Sequence, residues 1–276
     1  MSHVIAISNQ KGGVGKTTTA INLGASLAAA EKRVLVVDMD PQGNATSGLG
    51  VRASLTQSSL YGVLLNRLPL GSAIVRGVHL PLLDVVPTTT NLVGVEAELV
   101  GQPQWQYRLR EALDGIRHMY DYILIDSPPA LGILTINSLV AADTVLIPLQ
   151  TEYYALEGLS QFAETIAVVR EHLNPRLGIE GVLLTMFDGR LRLAQQVAED
   201  ARTHFDGRVF RTAIPRNVRL AEAPGFGRPT LLYDVLSGGS QAYLALAQEV
   251  ILRSPMMEVD GHRVLDDGEL ESALPR

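Results

Sequence analysis

Short apolar runs alternate with longer segments of helical period along most of this chain. The apolar runs predict seven strands: Val4–Ser8, Arg33–Asp38, Leu83–Val86, Tyr122–Asp126, Thr144–Leu149, Gly181–Met186 and Val209–Thr212. Helical spacing predicts helices over Lys16–Ala30, Gln104–His118, Leu156–His172, Arg192–His204 and Ser240–Arg253. Several strands are rich in Val, Ile and Leu on both faces, which is typical of buried parallel strands. The alternation therefore predicts an α/β fold with a central, mostly parallel, twisted sheet, helices on both faces and right-handed crossovers.

The chain divides into one predicted domain and a tail. No internal repeat and no long Gly/Ser linker interrupts the 276 residues, and no separate module precedes the first strand, so a single domain is expected over residues 1–253. Ser254 and Pro255 are expected to stop the last helix. Residues 254–276 are polar, acidic and without apolar periodicity, which predicts a flexible C-terminal tail.

The net charge of −6 is distributed unevenly. Six acidic and two basic residues give residues 254–276 a charge of −4, which leaves −2 for the predicted domain. Between Arg170 and Arg228 there are ten arginines and seven acidic residues, a local excess of +3. The acidic total therefore does not exclude a nucleic acid as a partner.

Composition excludes several classes of protein. The chain has no cysteine, so it has no disulfide, no thiolate zinc site, no iron–sulfur cluster and no cysteine nucleophile, as fits a reducing cytoplasm. No uninterrupted apolar stretch of about 18 residues is present, so no membrane-spanning helix is expected. The N-terminus enters a strand directly, without the basic and apolar regions of a secretory signal.

A glycine-rich segment joins the first strand to the first helix. Residues 10–18 are Gln-Lys-Gly-Gly-Val-Gly-Lys-Thr-Thr, which misses the strict P-loop pattern only at Gln10. Glycines at a strand-to-helix junction let backbone N–H groups surround phosphate oxygens, and the helix N-terminus adds partial positive charge. Lys16 is then expected to reach the β- and γ-phosphates and the Thr17 hydroxyl to bind Mg²⁺. The predicted ATP-binding residues of the loop are Lys11, Gly12, Gly13, Val14, Gly15, Lys16, Thr17 and Thr18.

Two further strands end in carboxylates. Asp126 ends an apolar strand, as a Walker B aspartate does, and is expected to hold Mg²⁺ directly or through water. The second strand ends in Asp38-Met39-Asp40-Pro41. Asp40, which precedes Pro41, is expected to leave the sheet and to lie near the metal, whereas Asp38 is expected to support the metal shell or the loop.

These motifs together resemble the ParA/MinD family of deviant Walker A ATPases. The resemblance extends over about residues 3 to 253 and is greatest to ParA/Soj proteins. It rests on residues 7–13, 38–44, 126–129, 148–158 and 214–224, which include Lys-Gly-Gly-Val-Gly-Lys-Thr, Asp-Met-Asp-Pro-Gln-Gly-Asn and Asp-Ser-Pro-Pro. The resemblance implies a P-loop NTPase domain that hydrolyses ATP slowly with Mg²⁺ and that segregates chromosomes or plasmids.

The resemblance also implies partners and further site residues. Lys11 is expected to reach phosphates bound by the other subunit of an ATP-dependent homodimer, and Asp40 is expected to position or activate the attacking water. Lys11, Lys16 and Asp40 are therefore counted as catalytic. The dimer is expected to bind double-stranded DNA non-specifically and to release it when a ParB/Spo0J-type protein stimulates hydrolysis, so a cytoplasmic, nucleoid-associated location is expected. Arg190 and Arg219, followed by Arg192, Arg216 and Arg228, are the expected DNA-binding residues, and Pro215 and Asn217 are expected to line the adenine pocket.

Alternative functions differ in the features they require. A MinD-like ATPase bound to a membrane would need a basic amphipathic C-terminal helix, whereas this tail is acidic and contains Pro255 and Gly261. A nitrogenase iron-protein relative would need cluster cysteines, and a tyrosine kinase of this superfamily would need a tyrosine-rich tail, but no tyrosine follows Tyr243. A scaffold that binds nucleotide without hydrolysis remains open, with Asp40 as the residue against it.

Overall fold

A six-stranded parallel sheet is the centre of the fold. The computed structural model describes residues 2–52, 59–152, 155–205 and 207–260, with backbone only for 254–260. Its strands are β1 (His3–Ile7), β2 (Val34–Asp38), β3 (Leu83–Val86), β4 (Tyr122–Asp126), β5 (Thr144–Gln150) and β6 (Gly178–Thr185). Their order is β3-β2-β4-β1-β5-β6, and every neighbouring pair is parallel. The predicted α/β class is confirmed, and the sheet is entirely rather than mostly parallel.

Helices occupy most of the remaining described chain. They are α1 (Lys16–Ala29), α2 (Asn44–Gly48), α3 (Leu60–Leu64), α4 (Val93–Leu99), α5 (Arg108–Asp114), α6 (Ile133–Ala141), α7 (Ala155–His172), α8 (Arg192–His204), α9 (Val218–Glu222), α10 (Thr230–Tyr233) and α11 (Gly238–Asp260). Short 3₁₀ turns occur at Leu70–Ala73, Thr90–Leu92, Trp105–Tyr107, Arg117–Met119 and Ala223–Phe226. No helix among the described residues is long and apolar enough to cross a membrane.

Alternate residues of the strands enter two separate cores, because successive side chains of a strand point to opposite faces. In β2, Val34 and Val36 pack with α1 and α11, whereas Leu35 and Val37 pack with α3 to α8. All five residues of β2 are buried, as are those of β4. Apolar side chains on both faces of these strands are therefore what fixes the three-layer arrangement.

The sheet brings the ends of three strands together. Asp126 of β4 is in register with Asp38 of β2 on one side and with Ile7 of β1 on the other. The glycine-rich segment follows directly after β1, so it begins at the same edge. The carboxyl ends of β1, β2 and β4 thus form one surface, at the edge where open α/β sheets bind their ligands.

The predicted seventh strand, Val209–Thr212, is wrong. The segment makes one isolated parallel bridge, between Val209 and Val182 of β6. The backbone N–H groups of Arg211 and Thr212 donate instead to the Glu249 carboxylate of α11, at 2.9 and 3.0 Å. A side chain thus takes the donors that would have extended a hydrogen-bonded ladder.

Two predicted helices need correction, and the helix α6 was missed. The segment predicted as a helix over Gln104–His118 contains α5 between two 3₁₀ turns, since α5 ends at Asp114 before Gly115. Helix α6 was not predicted because its sequence, ILTINSLVA, has no clear polar face. Helix α11 runs through Pro255 to Asp260, because proline removes one hydrogen bond but its φ fits a helix. The tail beyond residue 260 and residues 153–154 of the 148–158 motif lie outside the described residues.

Candidate nucleotide-binding site

The segment between β1 and α1 has the backbone of a phosphate-binding loop. Gly13 and Gly15 have φ of +76° and +93°, a left-handed conformation that side chains with a Cβ disfavour. A Cβ on Gly12 or Gly13 would have no neighbour within 4 Å, so this side of the loop is open. The Asn9 side chain holds the loop in place. Its amide oxygen accepts from Lys11 N at 3.0 Å, and its amide nitrogen donates to Pro148 O at 2.8 Å.

Lys16 turns into its own loop. Its Nζ donates to the backbone oxygen of Lys11 at 3.0 Å, and the residue is 7% exposed. Burial lowers the pKa of Lys16, and the charges of Asp126 and Asp40 partly oppose that effect. An ammonium group is therefore held between the loop and two carboxylates, where it is ready to neutralise an anion.

The Lys11 side chain does not enter the loop as Lys16 does, and it lies on the surface. Its Nζ donates to the Glu152 carboxylate at 3.0 Å, and the two side chains are 39% and 50% exposed. Glu152 also accepts a hydrogen bond from Gln150 at the end of β5. The two lysines of the motif thus have different environments, because one is enclosed by its own loop and the other lies on the protein surface in an exposed ion pair.

Asp126 is the most unusual group of the site. It is fully buried, and neither carboxylate oxygen accepts a hydrogen bond of normal geometry from a described residue. Burial raises the pKa of Asp126 well above its usual range, and the charges of Asp38 and Asp40 add to this, whereas the Thr17 hydroxyl and Lys16 lower it. A buried carboxylate without partners costs free energy unless a cation or a donor joins it.

Asp38 and Asp40 have different surroundings. Asp38 Oδ2 accepts from both the backbone N and the hydroxyl of Thr46, at 2.7 and 2.6 Å, and the residue is fully buried. Burial raises the pKa of Asp38 to about 6. Asp40 lies beyond the end of β2 and is 8% exposed, and its Oδ1 accepts from Gln42 N at 3.0 Å. Asp38 therefore anchors α2, while Asp40 is held by the turn that follows the strand.

These residues fit a magnesium nucleotide. The open glycine backbone and Lys16 suit phosphate, and the unpartnered Asp126 oxygens beside Thr17 suit a hard cation. Among the described residues no three His, Cys, Asp or Glu side chains form a metal cluster. Magnesium does not require such a cluster, since it commonly uses one or two carboxylates together with nucleotide phosphates and water.

Pro215 and Asn217 lie on the loop before α9. Pro215 makes an isolated bridge to Phe187, just after β6, and Asn217 caps α9 by accepting from Arg219 N at 2.9 Å. The Asn217 amide nitrogen and Pro215 Cγ are 3.8 and 3.9 Å from a Cβ built on Gly238. The Asn217 side chain therefore has a structural role at the start of α9, and the contact of Pro215 and Asn217 with adenine stays a prediction.

The five candidate arginines differ in their partners. The bridge between Phe187 and Pro215 places the segment that contains Arg190 and leads into α8 at Arg192 beside the segment that contains Arg216 and leads into α9 with Arg219. Arg190 pairs with Asp188 at 2.7 Å, and Arg219 pairs with Glu222 and Asp234 at 2.7 and 3.2 Å. Arg192, Arg216 and Arg228 are exposed. In the described part of the chain these last three have no ion pair.

Sequence analysis assigned no role to two residues of the site, Thr185 and Thr46. Thr185 ends β6, its hydroxyl donates to Val14 O at 2.8 Å, and its methyl lies 3.7 Å from a Cβ built on Gly15. Thr46 joins Asp38 to Thr88, whose N–H donates to the Thr46 hydroxyl at 3.0 Å. The sequence signal for Thr185 was a threonine directly after the apolar run of β6. No local pattern marks Thr46.

Comparison with known proteins identifies the family. A family model described as an AAA domain matches residues 2–179. The chromosome partitioning protein ParA of Myxococcus xanthus is 56% identical over 253 residues, which are 92% of this chain and 89% of that protein. The sporulation initiation inhibitor protein Soj of Bacillus subtilis is 53% identical over 250 residues, which are 91% and 98%. The chain belongs to the ParA/Soj family of partitioning ATPases.

A solved structure agrees with the fold of this ParA/Soj chain. Cobyrinic acid a,c-diamide synthase from Mycobacterium smegmatis, with bound ATP analog and magnesium, has a TM-score of 0.81 and 35% identity. The match covers 94% of this chain and 97% of that one. The family model and the relatives confirm the resemblance found in the sequence, and membership of this family confirms the P-loop ATPase activity. The ParA/Soj assignment rests on the relatives above, which are more similar in sequence.

Proposed function

We propose that this ParA/Soj ATPase is a DNA-segregation switch. In this cycle ATP closes a dimer, the dimer binds DNA without sequence preference, and a ParB/Spo0J-type partner stimulates hydrolysis and releases it. The protein is then cytoplasmic and associates with the nucleoid in its ATP state. Relatives named as chromosome partitioning proteins, at 53% to 56% identity, support the biological role.

The phosphate loop and the acidic strand ends are the proposed site for ATP and Mg²⁺. The backbone from Gly12 to Thr18 would surround the phosphates, and Lys16 would neutralise them. Thr17 and Asp126, with Asp40 nearby, would hold the cation, which supplies charge neutralisation to the phosphoryl oxygens when bound. The bound ATP analog and magnesium of the Mycobacterium smegmatis structure support this assignment.

Asp40 is the proposed catalytic residue of the strand ends. It lies past β2 and is 8% exposed, whereas Asp38 is fully buried and both of its oxygens already accept hydrogen bonds. Asp40 is thus the member of the pair that remains available to position water. Its loop contacts also make it sensitive to the conformation of the segment that follows.

The surface position of Lys11 carries the dimer proposal. Its ammonium group is held by an exposed carboxylate, a contact worth at most about 1 kcal/mol, so leaving it costs little. Lys16 already occupies the inside of the same loop. A second lysine on the surface beside the loop is therefore free to reach phosphates on another subunit, as the resemblance implies.

Exposed arginines support the proposed DNA surface. Arg192, Arg216 and Arg228 have no carboxylate partner among the described residues, so they can meet phosphate without breaking an ion pair. Arg190 and Arg219 must first leave their acidic neighbours. Guanidinium groups on two subunits would together give a sequence-independent footprint.

Co-sedimentation with random-sequence DNA and, in parallel, with anionic liposomes tests the function. Asp40→Ala should accumulate the ATP dimer, because its binding contacts remain while water positioning is lost. We expect this variant to pellet with DNA in ATP, to remain in the supernatant in ADP, and not to pellet with liposomes. Asp114→Ala, at an exposed position of α5, is the matched control and should behave as the parent chain.

Two variants separate the parts of the proposal. Lys16→Ala should lose nucleotide binding, measured by calorimetry. Lys11→Ala should keep nucleotide binding but remain a monomer in ATP, measured by light scattering. Pelleting with liposomes alone would instead support a MinD-like function. Pelleting with neither surface would leave an ATPase without the proposed DNA cycle.

A further inference from the structure

The end of α2 and the turn after α9 meet backbone against backbone. A Cβ built on Gly50 would lie 2.7 Å from the Gly227 carbonyl oxygen, and one built on Gly227 would lie 2.7 Å from Gly50 Cα. Both residues have a positive φ, of +71° and +63°. A side chain at either position would push the two segments apart, so glycine at both positions keeps them in direct contact.

The His79 ring joins the same two segments. Its Nε2 lies 3.0 Å from Leu49 O and 2.7 Å from Gly227 O. Because carbonyl oxygens can only accept, Nε2 carries a proton and donates to both, whether or not Nδ1 is protonated as well. His79 itself has a φ of +61°, a left-handed conformation that is uncommon outside glycine. The chain therefore holds this ring between the two carbonyl groups at a conformational cost.

Helix α2 connects this contact to the strand ends of the nucleotide site. Val51 N donates to Thr46 O at 3.0 Å, which closes the turn at the end of α2. Thr46 in turn donates its N–H and its hydroxyl to Asp38 Oδ2, and Asp38 Oδ1 accepts from Asp40 N at 3.2 Å. Asp38 is in register with Asp126 on the neighbouring strand. A cation at Asp126 therefore changes the field at the carboxylate that anchors α2.

The turn on the other side of the contact carries a candidate DNA-binding residue. Gly227 N donates to Pro224 O at 3.0 Å and Arg228 N donates to Ala223 O at 3.3 Å, so exposed Arg228 directly follows the contact. Pro224 also lies against α2, since its Cβ is 3.5 Å from a Cβ built on Gly48. The position of α2 thus constrains this turn, which we call the Arg228 turn (residues 223–228).

We propose that His79 is a positioning residue that couples the nucleotide site to the Arg228 turn. The Asp38 anchor of α2 responds to the magnesium nucleotide, and the His79 contact passes the resulting shift of α2 to the turn. The ring lies outside the proposed contacts with both ligands, so its role is to make the affinity for one depend on the other. The link to DNA rests on the proposed switch, whereas the coupling within the chain does not.

A fluorophore on the Arg228 turn measures the coupling without DNA. The chain has no cysteine, and a Cβ at exposed Gly225 would have nothing within 4 Å, so Gly225→Cys gives a single labelling position. An environment-sensitive label there should change its emission between Mg·ADP and Mg²⁺ with a non-hydrolysable ATP analogue. His79→Gly should lose most of this change, because glycine removes the ring and suits the positive φ. His79→Gln keeps a donor near the Nε2 position and should restore the change.

Asn66→Gly is the matched control. Asn66 is exposed and has a φ of +56°, so the substitution gives the backbone the same freedom away from the turn and should keep the parent response. Calorimetry should show that His79→Gly binds both nucleotides as the parent does, and circular dichroism confirms that each variant is folded. In fluorescence anisotropy, His79→Gly should reduce the ratio of duplex affinities in analogue and in ADP by about tenfold, within the usual range of coupling between two sites.

Three results would overturn the proposal. They are a turn label that ignores the nucleotide in the parent, an equal response in His79→Gly, and a loss of nucleotide affinity in that variant, which would make the ring a support of the site itself. A parent that binds no duplex in either nucleotide removes the proposed DNA switch. A label response that depends on His79 would still establish the coupling in that case, so the two failures are distinguishable.

Discussion

At the scale of single residues, the site holds a buried carboxyl group whose charged form the fold stabilises only in part. Asp126 is fully buried with two unpartnered oxygens, and its raised pKa reflects that cost. Replacing it with the isosteric amide removes the buried charge but also removes the proposed cation ligand. Stability and function should therefore change in opposite directions at this position.

Asp126→Asn is expected to raise the free energy of unfolding of the nucleotide-free protein by about 1–3 kcal/mol. It should also abolish the additional stabilisation that Mg²⁺ gives in the presence of ATP. Urea unfolding with and without Mg·ATP measures both effects. A less stable apo protein, or an unchanged response to Mg²⁺, would contradict this account.

A second residue-scale prediction concerns His3 at the opposite edge of the sheet. Its Nε2 lies 2.9 Å from the Thr144 hydroxyl and 3.2 Å from buried Glu180, near Asp143 and Arg117. Burial lowers the pKa of His3, but the hydrogen bond and charge of Glu180 outweigh it, so the pKa is raised above 6.5. The pair therefore stabilises the fold fully below about pH 6.5, and this contribution is lost as pH rises through the folded-state pKa.

His3→Gln should flatten the pH dependence of stability just above pH 6.5. The change should be confined to the pH range in which the imidazole of the folded protein loses its proton. Urea titrations at a series of pH values measure it. His172→Gln, at an exposed position of α7, is the control and should keep the parent profile. Equal profiles for His3→Gln and the parent chain would refute the role of the pair.

At the scale of elements, α1 packs unusually close to the sheet at Gly24. A Cβ there would lie 2.9 Å from Val36 Cγ2 and 3.6 Å from the side chains of Leu83 and Leu124. Valine is stiff at χ1, so it cannot move aside easily. The helix that carries the phosphate loop is therefore positioned by the absence of one side chain, and not by helix propensity.

Gly24→Ala should lower the free energy of unfolding by about 1–3 kcal/mol through overpacking. Gly158→Ala is the matched substitution in α7, where a Cβ would have nothing within 4 Å. It should raise stability by about 0.5–1 kcal/mol, because alanine restricts the unfolded chain. Thermal unfolding of both variants tests the pair, and effects of the same sign would contradict the packing argument.

Elements were predictable where the pattern was strong and local. The register of β2 and β4 follows from apolar runs that end in Asp38 and Asp126, and the glycine-rich loop follows from its motif. The structure of residues 209–212 was not predictable, because Glu249, distant in sequence, takes their N–H groups. The anchoring of α2 depends likewise on a contact between Asp38 and Thr46 that no local spacing reveals.

At the scale of the whole molecule, the ion pairs favour a different order of DNA-binding arginines from the one that the resemblance implies. The resemblance puts Arg190 and Arg219 first. Arg190 and Arg219 have acidic partners, whereas Arg192, Arg216 and Arg228 have none among the described residues. A guanidinium without a partner gains more from a phosphate than one that must exchange a carboxylate for it. Both sets can contribute, but the unpaired set should contribute more per residue.

Each of Arg192→Glu, Arg216→Glu and Arg228→Glu should weaken binding of the ATP dimer to a random-sequence duplex. Each lost phosphate contact should also reduce the slope of log affinity against log salt by about 0.9. Fluorescence anisotropy at several salt concentrations measures both quantities, with Arg176→Glu as the charge control. A slope unchanged in all three variants would place the DNA surface elsewhere.

The two margins of the sheet restrict how copies of this protein can associate. Beside β6, Glu249 takes the N–H groups of Arg211 and Thr212, and beside β3, Val75 exchanges both backbone hydrogen bonds with Val85. Within the part of the chain that the structure describes, neither margin therefore offers a long row of unpaired amides to a strand from another molecule. Association of copies by extending the sheet from one molecule to the next, which is how fibrils and swapped strands form, is disfavoured as a result. Reversible dimerisation has to use other surfaces.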